Sequence, residues 1–441
     1  TLFPYTTLFR SGVSSHASPF YRVEQREIML KPYNACIDGS DARKPIVSEE
    51  KSSSPEPLLR QQQLGPLVNE SRRQNRDVGA APPAKSGRCR DFLVLDAAIP
   101  EERDRWLALW QSWPNRDVVA HPGYAQRFAR PEDRTVCGCQ VGPDGGILFP
   151  LIVRPLSVEG WVGEIAGCDL VSPYGYGGPF GWGSYSTDAF WMGFDLWSSS
   201  IGAVSLFARL SLFRDSLIPF CGDVSEKGPA VIVSLEPAAD SLLASYDQDA
   251  RRNVRQAERA GVTVEIDRDC TRLEQFLSIY YSTMDRRGAS SIYYFTRQFF
   301  EDLTAYLPGQ VTLFHAWHEG KVVSSQLLVI SETYLYSFLN GTVEEGMRVR
   351  ANPLLRHAVN LWGKSTGKQH VVLGGGYNSA EDSLFKYKQR YAPNTQVPFC
   401  VGTRIFDQAV YQSLIDRRAA WCDAHSVNWT PVEGFFPLYR G

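Results

Sequence analysis

Three stretches of the chain carry residues whose types and spacing suit chemistry. The first is Ser172-Pro-Tyr-Gly-Tyr-Gly-Gly-Pro179. Gly175, Gly177 and Gly178 permit positive φ and close backbone approach, while Tyr174 and Tyr176 offer stacking faces and hydroxyls to a substrate. The competing account is a tight turn plugged by aromatics. In the second, Arg251, Arg255 and Arg259 recur every fourth residue and form one cationic helix face. Guanidinium meets phosphate bidentately, so phosphate is the functional reading; a solvated face paired with Asp247, Asp249 and Glu258 is the bland one. The third is Leu384-Phe-Lys-Tyr-Lys388, inside a helix predicted over 381–391. Lys388 lies four residues from Leu384 and shares its face, whereas Lys386 is about 200° away and solvated. If the Leu384 face lines a groove, the Lys388 ammonium points inward.

Further candidates surround these. Arg348-Val-Arg-Ala-Asn-Pro353 is basic, and Arg348 and Arg350 could hold a phosphate. Asn352 fits an N-cap with Pro353 at N1. Gly374-Gly-Gly376 follows a strand, so Gly375 and Gly376 line the groove or merely turn the chain. Gly363-Lys-Ser365 imitates the end of a phosphate-binding loop, but Ala358 replaces its first glycine. Cys137 and Cys139 have no second pair at zinc-site spacing, and His315 and His318 read as structural. No metal site is expected.

Composition bounds what these residues can serve. The 441 residues leave room for two or three domains, and 43% apolar with 21% charged is ordinary for a globular protein. A net charge of −2 argues against a duplex-DNA binder. Nine scattered cysteines read as reduced thiols and a cytoplasmic setting. No apolar run approaches the 18 or so residues of a membrane span, and no secretory signal opens the chain. Residues 1–11 resemble a translated sequencing adaptor. The stretch from about 40 to 86 is rich in Ser, Pro, Gln, Arg and Glu, so 1–88 is expected to be disordered or non-native.

The elements that must position the candidates are then read from periodicity. In 89–232 they are a strand at 92–95, a helix at 100–113, a short helix after His121, and strands at 147–153 and 161–165. Pro150 marks the first of those two strands as edge or bulged. The Tyr-Gly loop, a helix at 187–199 and strands at 204–209 and 230–235 follow. In 233–441 they are a helix at 239–260, a strand at 262–266, helices at 273–286 and 296–307, and strands at 311–317, 321–330 and 333–340. A helix at 354–366, a strand at 370–373, the helix at 381–391, a strand at 397–404 and a helix at 406–425 complete it. The fold class is α+β.

This order, with the Tyr-Gly loop, the basic helix before a strand, Asn352-Pro-Leu-Leu355, Leu373-Gly-Gly-Gly376 and Leu384-Phe-Lys-Tyr-Lys388, resembles the FemABX peptidyltransferases and their CelD/BioF-type acetyltransferase relatives. The resemblance covers roughly residues 90–405. It implies two fused GNAT-like lobes with a groove between them, 89–232 and 233–441. It implies N-acyl transfer from an acyl-CoA or an aminoacyl-tRNA, with no tightly bound cofactor and no covalent enzyme intermediate. The acceptor would be an amine on a cell-envelope precursor, a peptidoglycan peptide or an amino sugar, met at the inner face of the membrane. Tyr387-Lys388 matches the family's aromatic-lysine pair, in which lysine is the catalytic candidate. The usual glycine-rich pyrophosphate loop is replaced here by Arg348–Pro353. A non-catalytic module that binds an envelope glycan is the alternative on the same fold.

Overall fold

The structure, a computed structural model, describes residues 92–377 and 380–441. The stretch expected to be disordered, 1–88, lies outside them.

The described chain contains one order of elements twice. In the first half, β1 (Leu93–Asp96) is followed by helices α1 (Pro100–Ser112) and α2 (Pro122–Gln126) and an antiparallel meander. The meander is β2 (Arg134–Val141), β3 (Gly146–Pro155) and β4 (Cys168–Val171), with the short β5 (Phe180–Trp182) beside β3. Helix α3 (Thr187–Ser200) crosses to β6 (Ala203–Arg209), which runs parallel to β4. The second half opens with α4 (Ala239–Leu242) and α5 (Gln248–Arg259). It then repeats the series as β8 (Thr263–Asp267), α6 (Leu273–Arg287), α7 (Arg297–Tyr306), and the meander β9 (Val311–His318), β10 (Lys321–Ile330) and β11 (Tyr334–Thr342). The short α8 (Glu344–Arg348) and α9 (Ala351–Ser365) cross to β12 (His370–Gly374), parallel to β11. Helix α10 (Ser383–Gln389), β13 (Gln396–Ile405) and α11 (Gln408–Ala424) close the chain.

The last strand of each series pairs outside its own half. β7 (Asp223–Ser234) pairs antiparallel with β12, and β13 pairs antiparallel with β6. β7 and β13 also pair with each other, so one 13-stranded sheet runs β1-β2-β3-β4-β6-β13-β7-β12-β11-β10-β9-β8, with β5 off this path. The division drawn at 232/233 falls within β7.

Strand periodicity builds the two faces. On β11, Tyr334 and Tyr336 join one core cluster while Leu335, between them, joins the cluster beneath α5 and α9.

Three sequence expectations need correction. Pro150 is not on an edge strand: β3 pairs with β2 on one side and with β5 and β4 on the other. It is tolerated because β5 pairs with Gly146–Leu148 and β4 with Ile152–Pro155, which leaves Pro150 opposite neither. Residues 161–165 are turns, not strand; Trp161 and Val162 bury instead against Tyr411, Leu414 and Tyr439. The helix expected over 239–260 is two helices, because the Asp247 carboxylate accepts the N–H of Ala250 at 2.6 Å and starts α5 afresh.

The C-terminal segment is tied to the first half by a buried ion pair. Asp169 on β4 accepts from Ser205 Oγ at 2.7 Å, from the Tyr439 hydroxyl, and from Arg440 Nε at 2.5 Å. Arg440 Nη1 also meets Glu159 at 2.5 Å. Arg440→Ala would strand a buried carboxylate and should cost about 3–5 kcal/mol in denaturant unfolding. Arg252→Ala, which breaks an exposed pair with Asp249, should cost under about 1 kcal/mol. Equal small losses would show that the buried pair does not hold this segment.

Candidate active site

β11 and β12 pair only between Tyr334–Tyr336 and His370–Val372; beyond those residues the two parallel strands part. Gly374 ends β12 with φ +74°, a left-handed conformation natural to glycine. A Cβ there would lie 2.7 Å from the Tyr176 hydroxyl and 3.9 Å from Lys388 Nζ. Both side chains therefore converge on the bare backbone at the mouth of the parting. Lys388 Nζ donates to the carbonyl of Gly375 at 2.6 Å, and the backbone of Gly375 hydrogen-bonds the Tyr176 hydroxyl. One residue thus holds the two groups from opposite halves of the chain.

Helix α10 aims the lysine. Asp382 caps it, accepting from Phe385 N at 2.8 Å and from Tyr377 N at 3.0 Å. Phe385 is buried, and Lys388, three residues later, shares its face. Leu384 is 42% exposed, so it does not anchor the helix; Phe385 takes that role because the helix begins at Ser383 and is rotated from the expected placement. Lys386 is exposed. The stem of Lys388 is partly accessible, but its charged end is enclosed. That burial, reinforced by the Arg356 guanidinium and opposed by Asp382, pushes Lys388 down to about 7. Tyr176 is pushed up to about 12 by burial, partly offset by Gly375, and stays a neutral hydroxyl at neutral pH.

Tyr387 points the other way. Its hydroxyl donates to Asn352 Oδ1 at 3.2 Å and lies 3.1 Å from the Tyr391 hydroxyl. Asn352 is not the N-cap of α9. Arg350 takes that position in a left-handed turn, and Asn352, within the first turn, donates from Nδ2 to Thr342 Oγ1 at 3.2 Å. It links β11 to α10 instead.

Sequence reading missed Arg356. This residue is 1% exposed, lies one turn beyond Asn352, and stacks on the rings of Tyr391 and Tyr387 at 5.5 and 6.0 Å. The signal was an arginine on the apolar face of the 354–366 helix beside Leu355 and Val359.

The remaining candidates are spread more widely. Tyr174 is 37% exposed; its ring packs on Phe128 and Phe338, and its carbonyl accepts from Tyr124. Gly177 and Gly178 are buried, Gly177 in a bridge to Leu210 and Gly178 at φ +117° against Leu217, where they route the loop rather than face a groove. Gly376 packs against Ala380 and Asp382 too tightly for a Cβ. Arg251 donates to the carbonyls of Ala244 and Tyr246, which ties α4 to α5. Arg255, Arg348 and Arg350 are exposed. Arg350 caps α9 with backbone alone, so no side chain occupies the first N–H groups of that helix.

Two other features stand apart. A cavity of about 480 Å³ lies at the opposite end of β11 and β12, lined by Phe213, Asp215, Tyr334 and His370 among others, and no predicted site residue lines it. His318, Glu319 and Glu345 present ligand atoms within 4.8 Å of one another and are the metal-competent group among the described residues.

Residues 244–389 match a family described as an acetyltransferase (GNAT) domain. No curated protein matches the sequence. Among solved structures, FemX superposes with a TM-score of 0.51 at 16% identity, covering 70% of this chain and 98% of its own. That likeness is one of fold. The C-terminal domain of a putative lysylphosphatidylglycerol synthetase from Agrobacterium fabrum gives 0.44 at 12% identity over 74% and 95% of the two chains. L-PGS from Bacillus licheniformis gives 0.44 at 15% identity over 73% and 96%. With the FemX likeness and the family match, the fold of the chain is GNAT-like. No helix among the described residues is long and apolar enough to cross a membrane.

A lysine whose ammonium is enclosed is costly to the fold. Its pKa is lowered in the native state, so the penalty is complete below about pH 7 and vanishes above the unfolded value near 10.5. Lys388→Met should therefore raise the unfolding free energy, most at pH 6 and least at pH 10.5. A gain independent of pH would mean that ionisation is not the source.

Proposed function

We propose that the protein is an N-acyltransferase whose reaction centre is the parting of β11 and β12, with Lys388 as catalytic residue. The observation that carries this reading is the Lys388 ammonium, held by the Gly375 carbonyl beside Tyr176 at the end of β12 in a GNAT-like fold. An acceptor amine attacks the carbonyl carbon of an activated acyl group. The C–N bond forms and the carbonyl oxygen becomes an oxyanion. Collapse expels the donor's thiolate or ribose oxygen, which leaves with the proton that the amine gives up. Lys388 donates to the oxyanion, and because charge develops only in the transition state, a fixed cation lowers the barrier more than it tightens binding. Tyr176, neutral at pH 7, is a second donor within reach, and Tyr387 positions α10 through Asn352.

The donor is an acyl-CoA or an aminoacyl-tRNA. Arg348 and Arg350, at the uncapped start of α9, are the groups suited to its phosphates. The acceptor is an amine on a cell-envelope precursor, a peptidoglycan peptide or an amino sugar, presented at the inner face of the membrane. This finer assignment rests on the resemblance of the Tyr-Gly loop and the lysine helix to the FemABX group. Tyr174, with Phe128 and Phe338, supplies aromatic surface for it.

Lys388→Ala should lower kcat by on the order of 10²–10³-fold with no loss of thermal stability, and Lys386→Ala should do little. The rate should fall as pH rises through about 7, where Lys388 loses its proton, and Lys388→Arg should abolish that limb. Binding of an envelope glycan without turnover of any donor would favour a binding module instead. Arg350→Ala should weaken donor binding and flatten its salt dependence. Donor affinity unchanged across salt would return the arginines to the surface.

A further inference from the structure

On the α9 side of the parting, the buried guanidinium of Arg356 has no acid to meet. Among the described residues it makes no ion pair. Its one hydrogen bond is from Nη1 to Ser337 Oγ at 3.4 Å, and its Nε is enclosed with no partner. The Tyr387 and Tyr391 rings lie over the guanidinium, and neither supplies a partner for its Nε. Ser337 Oγ also accepts from Gln326 Nε2 at 3.0 Å, so its own hydroxyl hydrogen remains available to donate. Ser337 is the first residue of β11 past its pairing with β12, which places it at the start of the same parting that Lys388 borders. Lys388 is close enough to feel the arginine's charge, and the acid acting on that lysine, Asp382, already caps α10. Two cations thus share one gap, and the deeper of them has no carboxylate.

Burying a guanidinium without an anion is expensive, and a ligand carboxylate at Arg356 would offset that cost. We infer that Arg356, with Ser337, binds a carboxylate carried by the transferred acyl group itself, so that the donor delivers a dicarboxylic or acidic aminoacyl unit. The donor is favoured over the acceptor by position. Arg356 lies on α9, six residues and about 9 Å along the helix axis from Arg350, where the proposed function places the donor's phosphates. The aromatic surface proposed for the acceptor packs instead with Tyr336 and Phe338, the β11 face opposite Leu335 and α9. A planar fork suits a carboxylate bidentately, which a lysine would not match.

This inference rests on the proposed function for the place of the donor, and the test separates the two. The first measurement needs no turnover: titration of the protein with monomethyl glutarate, whose ester imitates the activated carbonyl, and with its neutral primary amide. Wild type should bind the carboxylate at least about 30-fold more tightly, the range for a buried charge pair, and Arg356→Met should bind both alike. Arg356→Lys, which keeps the charge, should recover part of the preference and controls for a misfolded variant. Equal binding of the two probes by wild type overturns the inference whatever the variants do. The second measurement compares kcat/KM for succinyl-CoA against butyryl-CoA, and for tRNA charged with glutamate against glutamine, with a common amine acceptor. A preference for the acidic donor of either kind, lost in Arg356→Met, supports it. Turnover of neutral donors with equal or greater kcat/KM overturns it and leaves acyl transfer standing. Probe binding without turnover of any donor sinks acyl transfer and retains the carboxylate site. A loss in Arg356→Met that is equal for both donor classes would mark Arg356 as structural and overturn the inference.

Discussion

The exchange of β7 and β13 is the constraint on which the site depends. Each closing strand pairs with the other half, β7 with β12 and β13 with β6, and with the other closing strand. The two halves are thereby one sheet, with no hinge of loop between them. This fixes the Tyr-Gly loop, which follows β4 in the first half, against the end of β12 in the second. Tyr176 reaches Gly374 because backbone hydrogen bonds set the distance, and the left-handed glycine removes the Cβ that would block it.

The site has a cost that follows from its place. Parting two parallel strands forgoes ladder hydrogen bonds and exposes backbone, and enclosing a lysine beside an arginine opposes its charge. Both features weaken the fold, and both create the environment that the proposed acyl transfer would use. The Lys388 ammonium donates to the Gly375 carbonyl, and in the proposed reaction an oxyanion would be the stronger acceptor that replaces it. The fold offsets these costs elsewhere, in the aromatic core and in ties such as Asp169 with Tyr439 and Arg440.

Function here is read from a site and not from the fold alone, since GNAT-like folds carry many acceptors. What distinguishes this chain is local. Arg350 stands in a left-handed turn at the start of α9, Tyr176 arrives from the other half, and the buried Arg356 makes no ion pair among the described residues. The cavity of about 480 Å³ at the far end of β11 and β12 is lined by none of the candidates.

The sequence by itself determined the α+β order of elements; it expected Lys388 inward on the face of Leu384, whereas the structure encloses Lys388 on the face of Phe385 and leaves Leu384 exposed. Those features are local: helix period, strand period and turn residues are properties of neighbours in the chain. Its errors were also local competitions decided at a distance. Pro150 looked like an edge because its missing N–H was visible, while the gap between β4 and β5 that accommodates it was not. Leu384 looked like an anchor because it is apolar, but the start of α10, set by Asp382, turned Phe385 inward instead. The tertiary structure alone decided which candidates meet. Tyr176 and Lys388 are more than two hundred residues apart, and only the exchanged strands bring them to one glycine. Arg251 was drawn into the turn before its helix, and Gly177 and Gly178 into the sheet, because backbone carbonyls and bridges satisfied them first. Arg356 was hidden in an apolar helix face, since a pattern of residues cannot reveal that a buried charge has no partner.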